Sequence, residues 1–133
     1  MNPNIQNGAA LAGRILLAVI FITSGFSKIT GYDGTAAYMA AKGLPMVGVL
    51  LPLTILTELG GGILLAIGYQ ARWAALALAG FTLLAAIIFH NFWAVEAAQK
   101  MAQQINFMKN VAITGGLLMV FAFGAGRHGV DKS

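Results

Sequence analysis

Four apolar runs, each about as long as a bilayer is thick, follow one another along this chain with polar punctuation between them. A helix rises about 1.5 Å per residue and the hydrocarbon core is about 30 Å thick, so about 20 mainly apolar residues make a span. The runs cover roughly residues 8–28 (GAALAGRILLAVIFITSGFSK), 46–67 (MVGVLLPLTILTELGGGILLAI), 72–90 (RWAALALAGFTLLAAIIFH) and 106–123 (NFMKNVAITGGLLMVFAF). Backbone polar groups in lipid must be satisfied within their own segment, so the expected fold is all-α. An integral-membrane bundle of four helices follows, one domain over residues 1–133, with both termini on the same side because the number of spans is even.

Composition agrees. The 133 residues are 59% hydrophobic and only 9% charged, where a soluble domain carries about a quarter of its residues as charges. The first run is not preceded by a basic segment, and it is too long for the core of a signal peptide. The four-residue GYQA between the second and third runs forces an antiparallel hairpin. GYDGTAAYMAAKGLP, after the first run, is expected to lie at the headgroups as a short amphipathic helix carrying Tyr32, Tyr38 and Lys42. NFWAVEAAQKMAQQI is expected to be a loop with Trp93 as an interfacial anchor, and the tail GAGRHGVDKS to be loose. Arg72, Arg127 and Lys132 on one face balance Lys28, Lys42 and Lys100 on the other, so the basic residues give no firm orientation and only a lean toward cytoplasmic termini. Gly25, the run Gly60 to Gly62, Gly80 and the pair Gly115 and Gly116 read as sites of close helix packing. Pro52 is expected to kink the second span or to be accommodated by a neighbour such as Thr54.

A net charge of +4 is scattered too widely for nucleic acid. The absence of cysteine excludes disulfides, thiol exchange and iron–sulfur clusters. One membrane histidine cannot ligate a haem from both sides, and a single deep acid cannot build a metal site, so no haem, cluster or metal is expected.

Ionisable groups at membrane depth cost about 2.5–3.5 kcal/mol each on insertion scales, so each asks for a partner or a role. Arg14 lies about 9 Å and Glu58 about 13 Å below the same face when depth is counted from the run ends, and an ion pair between them is the expectation. Ser24, Lys28, His90, Asn91, Asn106, Lys109 and Asn110 gather near the opposite face and make one rim of the bundle polar. Arg14, Ala18, Phe21, Gly25 and Lys28 share one stripe of the first helix, and His90 shares one with Ala79, Leu83 and Ala86. The bland alternatives are snorkelling by Lys28 and Lys109 and a purely structural clamp at Arg14 and Glu58.

The order of GRILLAVIFITSGFSKITGY, YMAAKGLP, LPLTILTELGGGILLAIGYQAR, FTLLAAIIFHNFW and NFMKNVAITGGLLMVFAFGAGR resembles the DoxX family of bacterial membrane proteins over about residues 13–131. The subgroup most similar is labelled as quinol oxidase subunits. The resemblance implies a four-helix inner-membrane protein tied to quinone-linked electron transfer or to resistance against quinones and oxidative stress. The family pattern falls on Arg14, Ser24, Gly25, Lys28, Glu58, Gly61, Gly62, His90, Asn106, Lys109 and Asn110. The tail departs from it, lacking the proline and serine expected after the last span.

These readings combine into one expectation. A quinone or quinol head binds at the rim through His90, Lys109, Asn110, Lys28, Ser24 and Asn106, against Phe26, Phe89 and Phe92, while Glu58 and Arg14 hold or relay a proton. With no redox centre encoded, the expected partners are the lipid bilayer, a quinone or other small aromatic ligand, and an oxidoreductase subunit or further copies of the chain. The alternatives are a non-catalytic accessory subunit and a minimal exporter of small aromatic compounds.

Overall fold

The computed structural model describes residues 1–131; Lys132, one of the basic residues weighed for orientation, lies outside them. Among the described residues, four helices are long and apolar enough to cross a membrane. The first, α1, runs Pro3–Thr30 and starts where the Asn2 side chain accepts the Asn4 N–H at 2.8 Å with proline at the first helical position. It therefore begins five residues before its apolar run. Its buried residues, Arg14, Ala18, Phe21 and Gly25, form the expected stripe.

The connection that follows is helical, as expected, but its apolar residues are not gathered on one face: α2 covers Tyr32–Ala41 and folds back over the end of the bundle, burying Met39 and stacking Tyr38 on Phe89 with ring centres 5.6 Å apart. The second span, α3, covers Val47–Ile67. Pro52 lies inside it, and four residues later the helix widens into a π-helical turn over Leu56–Gly60. Proline removes one backbone donor and crowds the preceding turn, which favours such a local change of winding. The hydroxyl that bonds back beside it is that of Thr57, donating to the Leu53 carbonyl at 2.8 Å. Gly68, at φ 74°, ends α3 with its N–H on the Leu64 carbonyl and opens the tight hairpin.

The third span, α4, covers Ala71–Phe89, and the fourth, α5, covers Ala97–Phe123. Residues 97–105, expected as loop, are thus the first turns of α5. AAQKMAQQ consists of good helix formers, and hydropathy marks where a helix leaves lipid rather than where it ends. Trp93 sits in a short turn, packed edge-on against Phe92 and Phe107.

Packing is uneven around the bundle. The helices α4 and α5 pair most extensively and α1 lies along α3, whereas α1 and α5 barely touch. Ala18, Phe21, Leu65, Ala75, Leu78, Ala79 and Leu117 form the central cluster. A methyl group on Gly25 would come within 2.9 Å of the Leu59 backbone nitrogen, and one on Gly62 within 2.9 Å of Ile22, so these glycines set the approach of α1 to α3. Gly61 abuts Leu78 of α4. Gly80 and Gly115 face open space and contribute no close packing, contrary to expectation.

As far as Asp131 the tail is docked rather than loose, and its last two residues lie outside those described. Val130 and Asp131 donate their N–H groups to the carbonyls of Ile67 and Gly68, and the Asp131 carboxylate accepts the N–H groups of Gln70 and Ala71 at 2.9 Å each. An anion thereby caps the start of α4.

Candidate functional site

The contacts of α1 with α3 fix their register: Gly25 beside Leu59, Gly62 beside Phe21 and Ile22, and Gly68 beside Arg14. Arg14 therefore stands level with the hairpin, ten residues along α3 from Glu58, or about 15 Å. The expected Arg14–Glu58 ion pair does not form. The depth estimate failed because α1 overhangs the end of its apolar run, which displaces Arg14 relative to α3. Buried to 2% exposure, the guanidinium instead donates to three backbone carbonyls: Ala125, His128 at 3.1 Å and Ala66 at 3.3 Å. It closes the ends of α3 and α5 and holds the tail.

Glu58 is paired by Lys28, whose Nζ lies 2.7 Å from Glu58 Oε1. Glu58 is buried, at 4% exposure, inside the π-helical turn of α3, and Lys28 reaches it from one helical turn beyond Gly25. Both charges face a cavity of about 380 Å³ lined by residues of α1, α2, α3, α4 and α5. Ser24, Lys28, His90, Lys109 and Asn110, expected together at the rim, line it, and Glu58, expected in a separate layer with Arg14, joins them. His90, at the end of α4, places Nδ1 2.9 Å from the Gln103 amide oxygen of α5. An amide oxygen only accepts, so in this contact Nδ1 carries the proton, and in the neutral ring Nε2 is left as an acceptor.

Arg14 and Asn106 do not line this cavity. Asn106 is half-buried one turn before Asn110 on the same side of α5, outside the residues that line the cavity. Of the three expected aromatic walls only Phe89 contributes. Phe26 is 60% exposed toward lipid, and Phe92 belongs to the cluster with Trp93 and Phe107. Leu83, placed on the His90 stripe, is exposed, while Ala79 and Ala86 are buried as expected.

Sequence reasoning missed Thr54, Thr82, Thr35, Tyr38, Met39 and Phe81, which also line the cavity. Tyr38 and Met39 arrive only because α2 folds back. Thr82 is the most informative of them. Thr23, Thr57 and Thr114 donate their hydroxyls to a carbonyl one turn back, but Thr82, at 4% exposure, has no partner for Oγ1. An unpaired hydroxyl in an apolar surround is costly, and its position in the cavity wall makes a bound polar group its natural partner. The cavity thus offers a charged pair, an imidazole acceptor, an amide, a second lysine and a free hydroxyl between aromatic and aliphatic walls.

The DoxX family model matches residues 9–91. The chain is 44% identical over 128 residues to the inner membrane protein YqjF of Escherichia coli, covering 96% of this chain and 93% of that one. It is 35% identical over 122 residues to the inner membrane protein YphA of the same organism, covering 92% and 87%. CatD of Bacillus subtilis, provisionally named an oxidoreductase, is 34% identical over 88 residues, covering 66% and 63%. No solved structure gives a significant match. The family model together with two relatives matched over nearly their whole length shows that this chain, a multi-pass protein of the bacterial inner membrane, belongs to the DoxX family.

Proposed function

We propose that the protein binds the ring of a quinone or quinol in the cavity between α1, α2, α3, α4 and α5, as part of quinone-linked electron transfer or of protection against reactive quinones. The observation that carries this reading is the convergence of Lys28, Glu58, Thr82, His90, Lys109 and Asn110 on one cavity of about 380 Å³ that also has Tyr38, Phe81 and Phe89 in its walls. A quinone needs hydrogen-bond donors at its two oxygens and a flat apolar surround, and a quinol needs acceptors for its protons. Lys28, Lys109 and Asn110 donate to the former, while Glu58 and the His90 Nε2 accept from the latter. The oxidoreductase label of CatD supports a redox-active ligand. Electrons exchanged with such a ligand go to or come from a second molecule, of which an oxidoreductase partner subunit is one candidate.

Equilibrium titration of the protein in nanodiscs with a tail-less benzoquinone tests this. Saturable binding that is at least tenfold weaker in the folded His90→Ala, Lys109→Ala double variant is the expected result, corresponding to about 1.4 kcal/mol. Equal binding by both proteins, or none by the native protein, overturns it.

A further inference from the structure

The polar cavity is not closed toward the lipid. Ile20 of α1 and Ile113 of α5 line both it and a second hollow of about 650 Å³, the groove left where α1 and α5 barely touch. Small residues keep this groove open: Gly13 has no neighbour within 4 Å of where a methyl group would stand, and Gly116 meets only the tip of Leu17. Its rims are Leu16, Met119 and Phe123, all exposed and therefore turned to lipid in a membrane. The one charged side chain along it is Arg14, whose two terminal nitrogens already donate to three backbone carbonyls while its Nε is buried without a partner. Apart from that buried Nε the groove offers little to a polar head, and its walls fit an apolar chain.

We infer that the ligand is a tailed amphiphile. Its ring sits in the cavity, and its hydrocarbon tail leaves past Ile20 and Ile113 to lie in the groove between α1 and α5, which is also its lateral route in from the bilayer. This inference rests on the ring-binding reading and adds the class of ligand to it. From Ile20 to Ala9 the groove runs about 16 Å along α1, a length suited to an extended chain. The direction is consistent: the cavity lies at the polar rim where a ring can stay near the headgroups, and the groove descends from it through the apolar depth. Lipid tails are as apolar as the groove, so burial from water drives nothing here. The preference comes from close packing and from the tether to the ring.

A benzoquinone bearing a decyl tail tipped with a photoreactive diazirine tests this in nanodiscs, with labelled residues mapped by mass spectrometry. The expected label falls on the groove walls of α1 and α5, is displaced by excess tail-less benzoquinone, and is lost in Gly13→Leu. Gly116→Leu, on the opposite wall, gives the same loss and guards against a fault peculiar to one variant. Labelling of the groove that the tail-less ring does not displace, although that ring binds in the titration above, means the groove holds any lipid chain and overturns the inference while leaving ring binding intact. Label outside the groove, or unchanged label in both leucine variants, overturns it as well. Leucine variants that shift a monomer–dimer balance in native mass spectrometry without altering the label assign the groove to a second copy and contradict the inference. Absence of tail-less binding removes the ring reading and this one together.

Discussion

The pair formed by Lys28 and Glu58 is unequal, and the inequality is testable. Glu58 is deep in α3 and nearly fully buried, whereas Lys28 stands at the end of α1 and keeps part of its side chain accessible. Removing the lysine strands a buried carboxylate, while removing the acid leaves a lysine able to extend to the headgroups. Lys28→Met is therefore expected to destabilise by about 3 kcal/mol, Glu58→Gln by distinctly less, and the double variant less than Lys28→Met alone, in denaturant unfolding of the detergent-solubilised protein. Thr82→Val tests the unpartnered hydroxyl in the opposite sense. It is expected to raise stability by about 1 kcal/mol by removing a buried unpaired group, and to weaken tail-less quinone binding roughly fivefold if that hydroxyl bonds the ligand. At this scale the sequence was largely legible for charges. Cost and depth alone singled out Lys28, Glu58, His90 and Lys109. Partners were not legible, because Arg14 and Glu58 match in depth when each run is counted from its own end, and only packing reveals the offset. Thr82 carried no signal, since a hydroxyl barely alters hydropathy.

Among the helices, glycines separate contact from decoration. Gly25 lies on the Leu59 backbone, which cannot move aside, whereas Gly80 meets nothing within 4 Å. Gly25→Ala is expected to cost about 1–3 kcal/mol through overpacking of α1 on α3, and Gly80→Ala to be neutral or stabilising by up to about 1 kcal/mol, compared by thermal unfolding under one set of detergent conditions. The existence and order of the spans were legible because about 20 apolar residues in a row have few other fates. Their ends were not. α1 and α5 continue as helices into the headgroup region, where polar helix formers such as Gln99 and Lys100 carry no apolar signal. The π-helical turn holding Glu58 was also hidden: Pro52 announced a disturbance but not its form or its place four residues on.

Across the whole molecule, the two ends of the bundle have different tasks. At one end Arg14, the hairpin at Gly68 and the tail through Asp131 form a closed clamp in which the buried guanidinium is met by carbonyls. At the other, α2 folds over a cavity whose polar groups remain available. A chain ending at Phe123 strips Arg14 of two carbonyl partners. The expected outcome is a loss of about 3 kcal/mol or more of stability, seen as reduced folded yield on size-exclusion chromatography, with tail-less quinone binding kept by the fraction that folds. The tail reads as loose in sequence because glycine and polar residues are poor in apolar signal and their partners lie 60 to 114 residues away.

The most direct test of the central claim, that the cavity under α2 holds a quinone-type ring, is mass spectrometry of the lipids and quinones that co-purify with the protein. The native chain, the His90→Ala, Lys109→Ala variant and an unrelated four-helix protein are extracted from the same membranes. Quinone enriched on the native protein over the unrelated one, and lost from the folded variant, is the result this account requires. No enrichment over the unrelated protein, or equal quinone on native and variant chains, contradicts it.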